Sequence, residues 1–408
     1  MIGNLLRTAL FHFILAATAG IGAAANAQTL ALVGGKVYAS PDAAPLDDAV
    51  VVTAAGVIAA IGSRSDVQIP SDARVIDCAG KTVVAGFWNS HVHFTQAVWK
   101  NTGSAPAAPL QEHMREMLTR WGFTTVWDIG SDGRDTLALR RRVNAGEVAG
   151  PDIHSVGSIF PKDGHPAYLP PEIKLPEASA PDEAAQLVRT YIGFGLDGVK
   201  LFTGSFKGSG KPVVNMDPAI AKAAVDVAHA AGKPVFAHPQ NMAGVEAVIA
   251  AGVDIMAHTV PGESVYSPEQ LARFKQQGIA LVPTLSLFAK LPVAPDIAAR
   301  LVATTVNQVK VFSDNGGPVL FGTDVGFTTI YDTTLEYELM HRVLSARQIL
   351  ASLTTNPAQY FKAAKKGRVE KGFDADLAVL DGDPVADVRN LAKVAYTIRA
   401  GQVIYQKP

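Results

Sequence analysis

Between about residues 85 and 366 the chain alternates short apolar runs with longer amphipathic ones, and this alternation constrains the fold more than any other feature. Strand candidates are 83–94, 124–130, 152–157, 198–202, 234–239, 254–258, 279–287 and 319–325. Helical stretches at 110–121, 181–194, 217–231, 242–251, 268–277 and 297–315 separate them, and 345–362 closes the series. Eight strands over about 280 residues match the size of a (β/α)8 barrel in the α/β class. An open doubly wound sheet is the alternative, but no Gly-x-Gly-x-x-Gly stands at a strand-to-helix turn, which disfavours its nucleotide-binding form.

The two ends are written differently. From Thr29 to about Val84, and again after Gly367, short apolar runs alternate with Gly, Pro, Asp and Ser turns, the pattern of hairpins. This predicts a small β-sandwich assembled from both termini, residues 28–84 plus 367–408, around a barrel of residues 85–366. Residues 1–27 read as a secretory signal. Arg7 is their only Lys or Arg, an apolar run follows, and small residues end at Ala25-Asn26-Ala27, which sets cleavage before Gln28. An uncleaved anchor is the competing reading, but the strongly apolar core is short for a membrane span. The expectation is therefore export, to a periplasm where there is one, with no stable membrane anchor after cleavage.

Candidate functional residues gather at the strand ends. His91 and His93 end the first barrel strand one residue apart, so strand geometry sends both imidazoles to one face. His238 ends the fifth strand, His258 the sixth and Asp324 the eighth, while Lys200 lies within the fourth. Such barrels carry their chemistry at this end of the strands. Taken one at a time, His238 and His258 read as hydrogen-bonded core histidines, the commoner fate of a single His in an apolar segment, and Asp324 as a helix cap. Lys200 is harder to dismiss, since an ammonium in an apolar strand is costly unless it is paired or neutral. A neutral amine there can take up carbon dioxide as a carbamate able to bridge two metal ions. Together the six favour a metal site.

Cys78 is the single cysteine, so no intrachain disulfide and no Cys-rich zinc site can form. A formal net charge of −1 and the lack of a basic patch with interleaved aromatics argue against a nucleic-acid partner; the expected partner is a small-molecule substrate.

These motifs, in this order, resemble the amidohydrolase superfamily, in the branch of imidazolonepropionases and Xaa-Pro dipeptidases. The resemblance takes in His91-x-His93, the segment 122–126, Lys200, His238, His258, Gly322-Thr323-Asp324, the segment 353–358 and Lys371-Gly372-Phe373-Asp374-Ala375-Asp376-Leu377. It implies two divalent ions, His91, His93 and Asp324 on the first and His238 and His258 on the second. Carbamylated Lys200 and a hydroxide would bridge them. It also implies hydrolysis of amide or peptide-type C–N bonds, as in dipeptides or N-acyl amino acids, with Asp324 as general acid/base. Zinc suits the ligands, and manganese, iron and cobalt suit them by type as well. The family's habit of dimers and rings leaves room for a homo-oligomer. Two departures stand out. Ala85-Gly86 and Asn89 replace the family's Pro-Gly and Asp, and His238-Pro239-Gln240-Asn241 replaces a frequent His-Ala-His-Gly.

His165, in the loop after the third strand, resembles a Gly-His element used near the substrate; a surface histidine is the alternative. Tyr168 shares that loop, and the glycine-rich 204–211 segment is a candidate lid. A mononuclear deaminase is disfavoured by Lys200 and by Gln240 and Asn241, where such enzymes carry Glu. A lactonase or phosphotriesterase use of the metal pair stays open, and a non-catalytic binding barrel is disfavoured by the complete ligand set.

Overall fold

Gly86 divides between two sheets the run that the sequence reads as one strand. In the computed structural model, which describes residues 28–262 and 264–408, Thr82–Ala85 pairs with Leu30–Val37 and Leu377–Leu380, whereas Phe87–Val92 pairs with Phe123–Asp128. A β-carbon at position 86 would collide with the Thr124 side chain, so glycine lets the backbone pass there. The signal reading of residues 1–27 lies outside the described residues.

The first sheet draws on both ends of the described chain. In spatial order its strands are Gln402–Gln406, Val394–Arg399, Leu377–Leu380, Thr82–Ala85, Leu30–Val37, Leu46–Ala54 and Val57–Ser63, with Arg74–Asp77 also paired to Leu30–Val37. Strand alternation sorts its side chains. Leu30 and Leu32 share one apolar cluster with Leu377, Val379 and Ile398, while Ala31 and Val33 share another with Val50 and Val52. The strands of the two ends form one continuous sheet rather than two, because Leu377–Leu380 joins edge to edge with Thr82–Ala85.

The second sheet is parallel and carries the candidate site. Its order is Ala280–Leu281, Ile255–Met256, Val235–Ala237, Gly198–Leu201, Asp152–Pro161, Phe123–Asp128 and Phe87–Val92. The eighth expected strand, 319–325, is not a regular strand. Its backbone bonds instead to both edges of this sheet: Leu320 N–H to the Leu281 carbonyl at 2.9 Å, and His93 N–H to the Val325 carbonyl at 2.8 Å. Beneath the site, Trp88, Trp127, Phe236, Ile255, Val282 and Leu320 form an apolar plug, and Phe361 stacks on Trp127 with ring centroids 4.5 Å apart.

Several helices open on side-chain caps. Asp217 Oδ1 accepts the Ala219 N–H before Pro218–Ala230, and reciprocal capping boxes open Pro268–Gln277 and Ala346–Leu353. Two helices, Gly133–Asn144 and Thr334–His341, lie outside the expected helical stretches; Asp132 caps the first by accepting the Arg134 N–H at 2.8 Å, and the second has no side-chain cap. The expected strand 279–287 ends early. Only Ala280–Leu281 is extended, and after Pro283 the chain turns at Thr284 into the short helix Leu285–Ala289. Among the described residues no helix is long and apolar enough to cross a membrane.

Candidate metal centre

His91 and His93 leave the Phe87–Val92 strand with their Nε2 atoms 3.2 Å apart. Asp324 Oδ1 lies 3.0 Å from the first and 2.8 Å from the second. The backbone that brings Asp324 there is unusual, since its φ of +59° is in the left-handed region. Asn89 holds the loop against the strand. Its Nδ2 donates to Thr323 Oγ1 at 2.8 Å, and its Oδ1 accepts the N–H groups of His91 and Thr323 at 3.2 and 3.3 Å. This is the position where the family resemblance expects an aspartate, and the amide can both donate and accept. Gly326 is required too, because a β-carbon there would run into the His93 carbonyl.

The donor chemistry suits a cation. Burial pushes the His91 imidazole down to about 3 and His238 to about 4, and lowers His258 well below its ordinary range. Burial alone would raise the Asp324 carboxyl, but the adjoining His91 and His93 hold it well below the usual carboxylate range. Neutral imidazoles beside an ionised carboxylate are the protonation states that metal ligands need. Asp324 Oδ1 and the Nδ1 atoms of His91 and His93 are buried without a well-formed hydrogen bond. His91, His93 and Asp324 thus converge to within 4.8 Å of one another and could hold a divalent ion.

The other three residues lie close but less converged. The His258 ring centroid is 4.5 Å from that of His91, and its Nδ1 lies 2.7 Å from Thr284 Oγ1. His238 is 4.8 Å from His258 between centroids and stacks on Phe202 at 5.1 Å, but its Nε2 is engaged by Gln240 Oε1 at 2.9 Å. Lys200 is fully buried in its strand, with Nζ 5.6 Å above the Phe202 ring. Burial pushes its ammonium down to about 7 against the attraction of Asp324.

His165 stays within its own loop, its ring nitrogens facing the carbonyls of Pro166 at 3.1 Å and Ile173 at 3.0 Å. The 204–211 segment is pinned rather than free at its start: Gly204–Ser205 pairs with Val214–Asn215, and the Phe206 carbonyl accepts the Ala167 N–H at 2.9 Å. Tyr168 meets Phe327 edge-on at 5.2 Å. With Ile173 and Ile330 these two give apolar groups, each at least 40% exposed, on the loops after Pro161 and Asp324.

Sequence reasoning missed Thr284, Asp128 and Glu336. Asp128 is buried at the end of the second barrel strand and accepts from Ser131, Thr136 and Ser155. Ser131 Oγ in turn takes the Phe94 N–H at 2.6 Å, tying down the segment just past His93. An aspartate at a strand end was the available signal; its three hydroxyl partners are visible only in space.

A family model for the amidohydrolase family matches residues 82–404. The chain belongs to that family. It is accordingly a hydrolase acting on carbon–nitrogen bonds of small-molecule substrates. Ochratoxinase of Aspergillus niger is 22% identical over 403 residues, covering 85% of this chain and 80% of that protein. Imidazolonepropionase of Thermoplasma acidophilum is 27% identical over 191 residues, 40% of this chain and 43% of that one. A solved Xaa-Pro dipeptidase with methionine bound in its active site superimposes with a TM-score of 0.80 at 24% identity, over 93% of this chain and all of the other (100%). At that identity the likeness speaks for the fold.

Proposed function

We propose that the protein is an exported amidase or dipeptidase that hydrolyses dipeptide or N-acyl amino acid substrates at a pair of divalent ions, most naturally zinc. His91, His93 and Asp324 would hold the first ion, His238 and His258 the second, and Lys200, as its carbamate, would join them. The observation that carries this reading is the convergence of two imidazoles and a carboxylate on one point, 2.8–3.2 Å between donor atoms. When bound, the ions supply Lewis-acid polarisation of the scissile carbonyl and a supply of hydroxide near neutral pH. Asp324 would accept a proton from the attacking water and hand it to the leaving amine. The apolar plug of Trp88, Trp127 and Phe236 keeps water from entering from below.

The Tyr168–Phe327 pair and Ile173 favour a substrate with an apolar or aromatic side chain. The likeness to a solved Xaa-Pro dipeptidase supports the dipeptidase side of this reading. The reading includes a closed (β/α)8 barrel over 85–366, with 319–325 as its eighth stave, and a composite β unit of 28–84 and 367–408. It also includes a signal in 1–27 that directs export.

Elemental analysis of the purified chain, paired with a dipeptide and N-acyl amino acid screen, tests the proposal. About two ions per chain and a metal-dependent C–N hydrolase activity are expected; a chain that takes up no ion from zinc and bicarbonate would overturn it. The hold of Gln240 on His238 Nε2 favours one rival, a one-ion hydrolase, and that rival predicts one ion per chain.

A further inference from the structure

Thr284 is a β-branched residue at φ +47° and ψ +50°, a left-handed conformation that such residues rarely adopt. It is the residue before the helix Leu285–Ala289, where a threonine hydroxyl ordinarily accepts from the first free N–H groups of the helix. Here it makes no such bond. Those N–H groups are satisfied from outside: Glu336 Oε1 accepts from Leu285 at 2.8 Å, and Oε2 accepts from Ser286 at 2.6 Å. Glu336 sits in the helix Thr334–His341, completely buried. The Thr284 hydroxyl, freed of capping, lies 2.7 Å from His258 Nδ1.

We propose that Glu336 is a positioning residue of the metal centre, which caps the 285–289 helix so that Thr284 can hold the His258 ring. The proposal rests on the reading above that His258 faces the second ion. A proton on Nδ1, donated to Thr284 Oγ1, leaves the lone pair on Nε2 and fixes the ring plane, the usual task of groups behind a ligand. A carboxylate suits the capping role because it offers an acceptor to each of two N–H groups. A glutamine in its place would turn an N–H toward one of them, and the Thr284 hydroxyl would then be drawn to the helix end and away from His258.

The test compares wild type with Glu336→Gln, Thr284→Val and Thr284→Ser. In metal-free protein, nitrogen-15 spectra of the imidazoles should place the His258 proton on Nδ1 in wild type and Thr284→Ser, and lose that preference in the other two. In zinc titrations, Glu336→Gln and Thr284→Val should each weaken the second ion by about 10–100-fold and leave the first unchanged. The double variant should be no worse than either alone, since both break one chain of contacts. Glu336→Asp, which draws the carboxylate back by one methylene, gives the same readouts if the amide variant does not fold. Wild-type spectra and wild-type zinc affinity in folded Glu336 variants would overturn the proposal. A wild-type chain that binds one ion would instead defeat the two-ion reading, and the metal-free spectra would still judge the role of Glu336.

Discussion

The two halves of the candidate centre are built differently. His91, His93 and Asp324 meet on adjoining backbone, where His93 N–H bonds to the Val325 carbonyl and Asn89 staples strand to loop. His238, His258 and Lys200 come from three strands and are each held by something else: Gln240, Thr284 and the Phe202 face. The first half is assembled by main-chain pairing, which tolerates little displacement. The second depends on side chains that have other partners, so its geometry can be tuned or lost without disturbing the sheet.

That contrast can be broken most severely at Asp324. Asp324→Asn should lower kcat by roughly 10²–10⁴-fold and weaken the first ion, as read by steady-state kinetics and elemental analysis; unchanged kcat would remove Asp324 from the chemistry. Next in size is sequential metal loss. Dialysis against graded chelator should remove the ion on the His238 and His258 side first, giving a plateau near one ion per chain. Simultaneous loss would mean that the two halves are equally preorganised.

A smaller effect is expected at the staple. Asn89→Ala removes the acceptor of the His91 and Thr323 N–H groups and a donor to the Thr323 hydroxyl, which should cost about 1–3 kcal/mol in denaturant unfolding. The ion on the His91 side should weaken more than the other; an equal loss at both would show that the staple does not distinguish them.

The smallest effect lies in pH dependence on the second side. Burial pushes the Glu336 carboxyl up to about 7 from an ordinary 4.5. Between those values the folded chain keeps a proton that the unfolded chain releases, and the carboxylate that accepts both N–H groups forms as pH rises through about 7. The contribution of this group is therefore fully present below about pH 4.5 and is lost as pH rises through about 7. Chemical unfolding of the metal-free protein at several pH values should show that loss in wild type and a flatter profile in Glu336→Gln. Matching profiles would mean that Glu336 does not titrate in this range.

Much of the site was legible because its members end predicted strands in a fixed order. His91, His93 and Asp324 needed only strand periodicity and the position of the eighth strand to be brought together. His165 was placed by its loop origin alone, and the structure adds its contacts with the carbonyls of Pro166 and Ile173, which strand periodicity could not show. Thr284 and Glu336 were illegible, since they are 52 positions apart and interact through backbone N–H groups that carry no sequence identity. The early end of the strand at Leu281 has the same cause, a short helix stabilised by a distant carboxylate.

Sequence by itself determined the α/β alternation, the family, and the residues that could bind an ion, because periodicity and residue type are local properties. Tertiary structure decided the rest. It decided that Gly86 hands the chain from one sheet to another, because only there does Thr124 crowd the backbone. It decided that the terminal strands share one sheet, and which buried carboxylate stands behind which histidine. Burial and partnership at a distance fix those choices, and neither is written in the residues that make them.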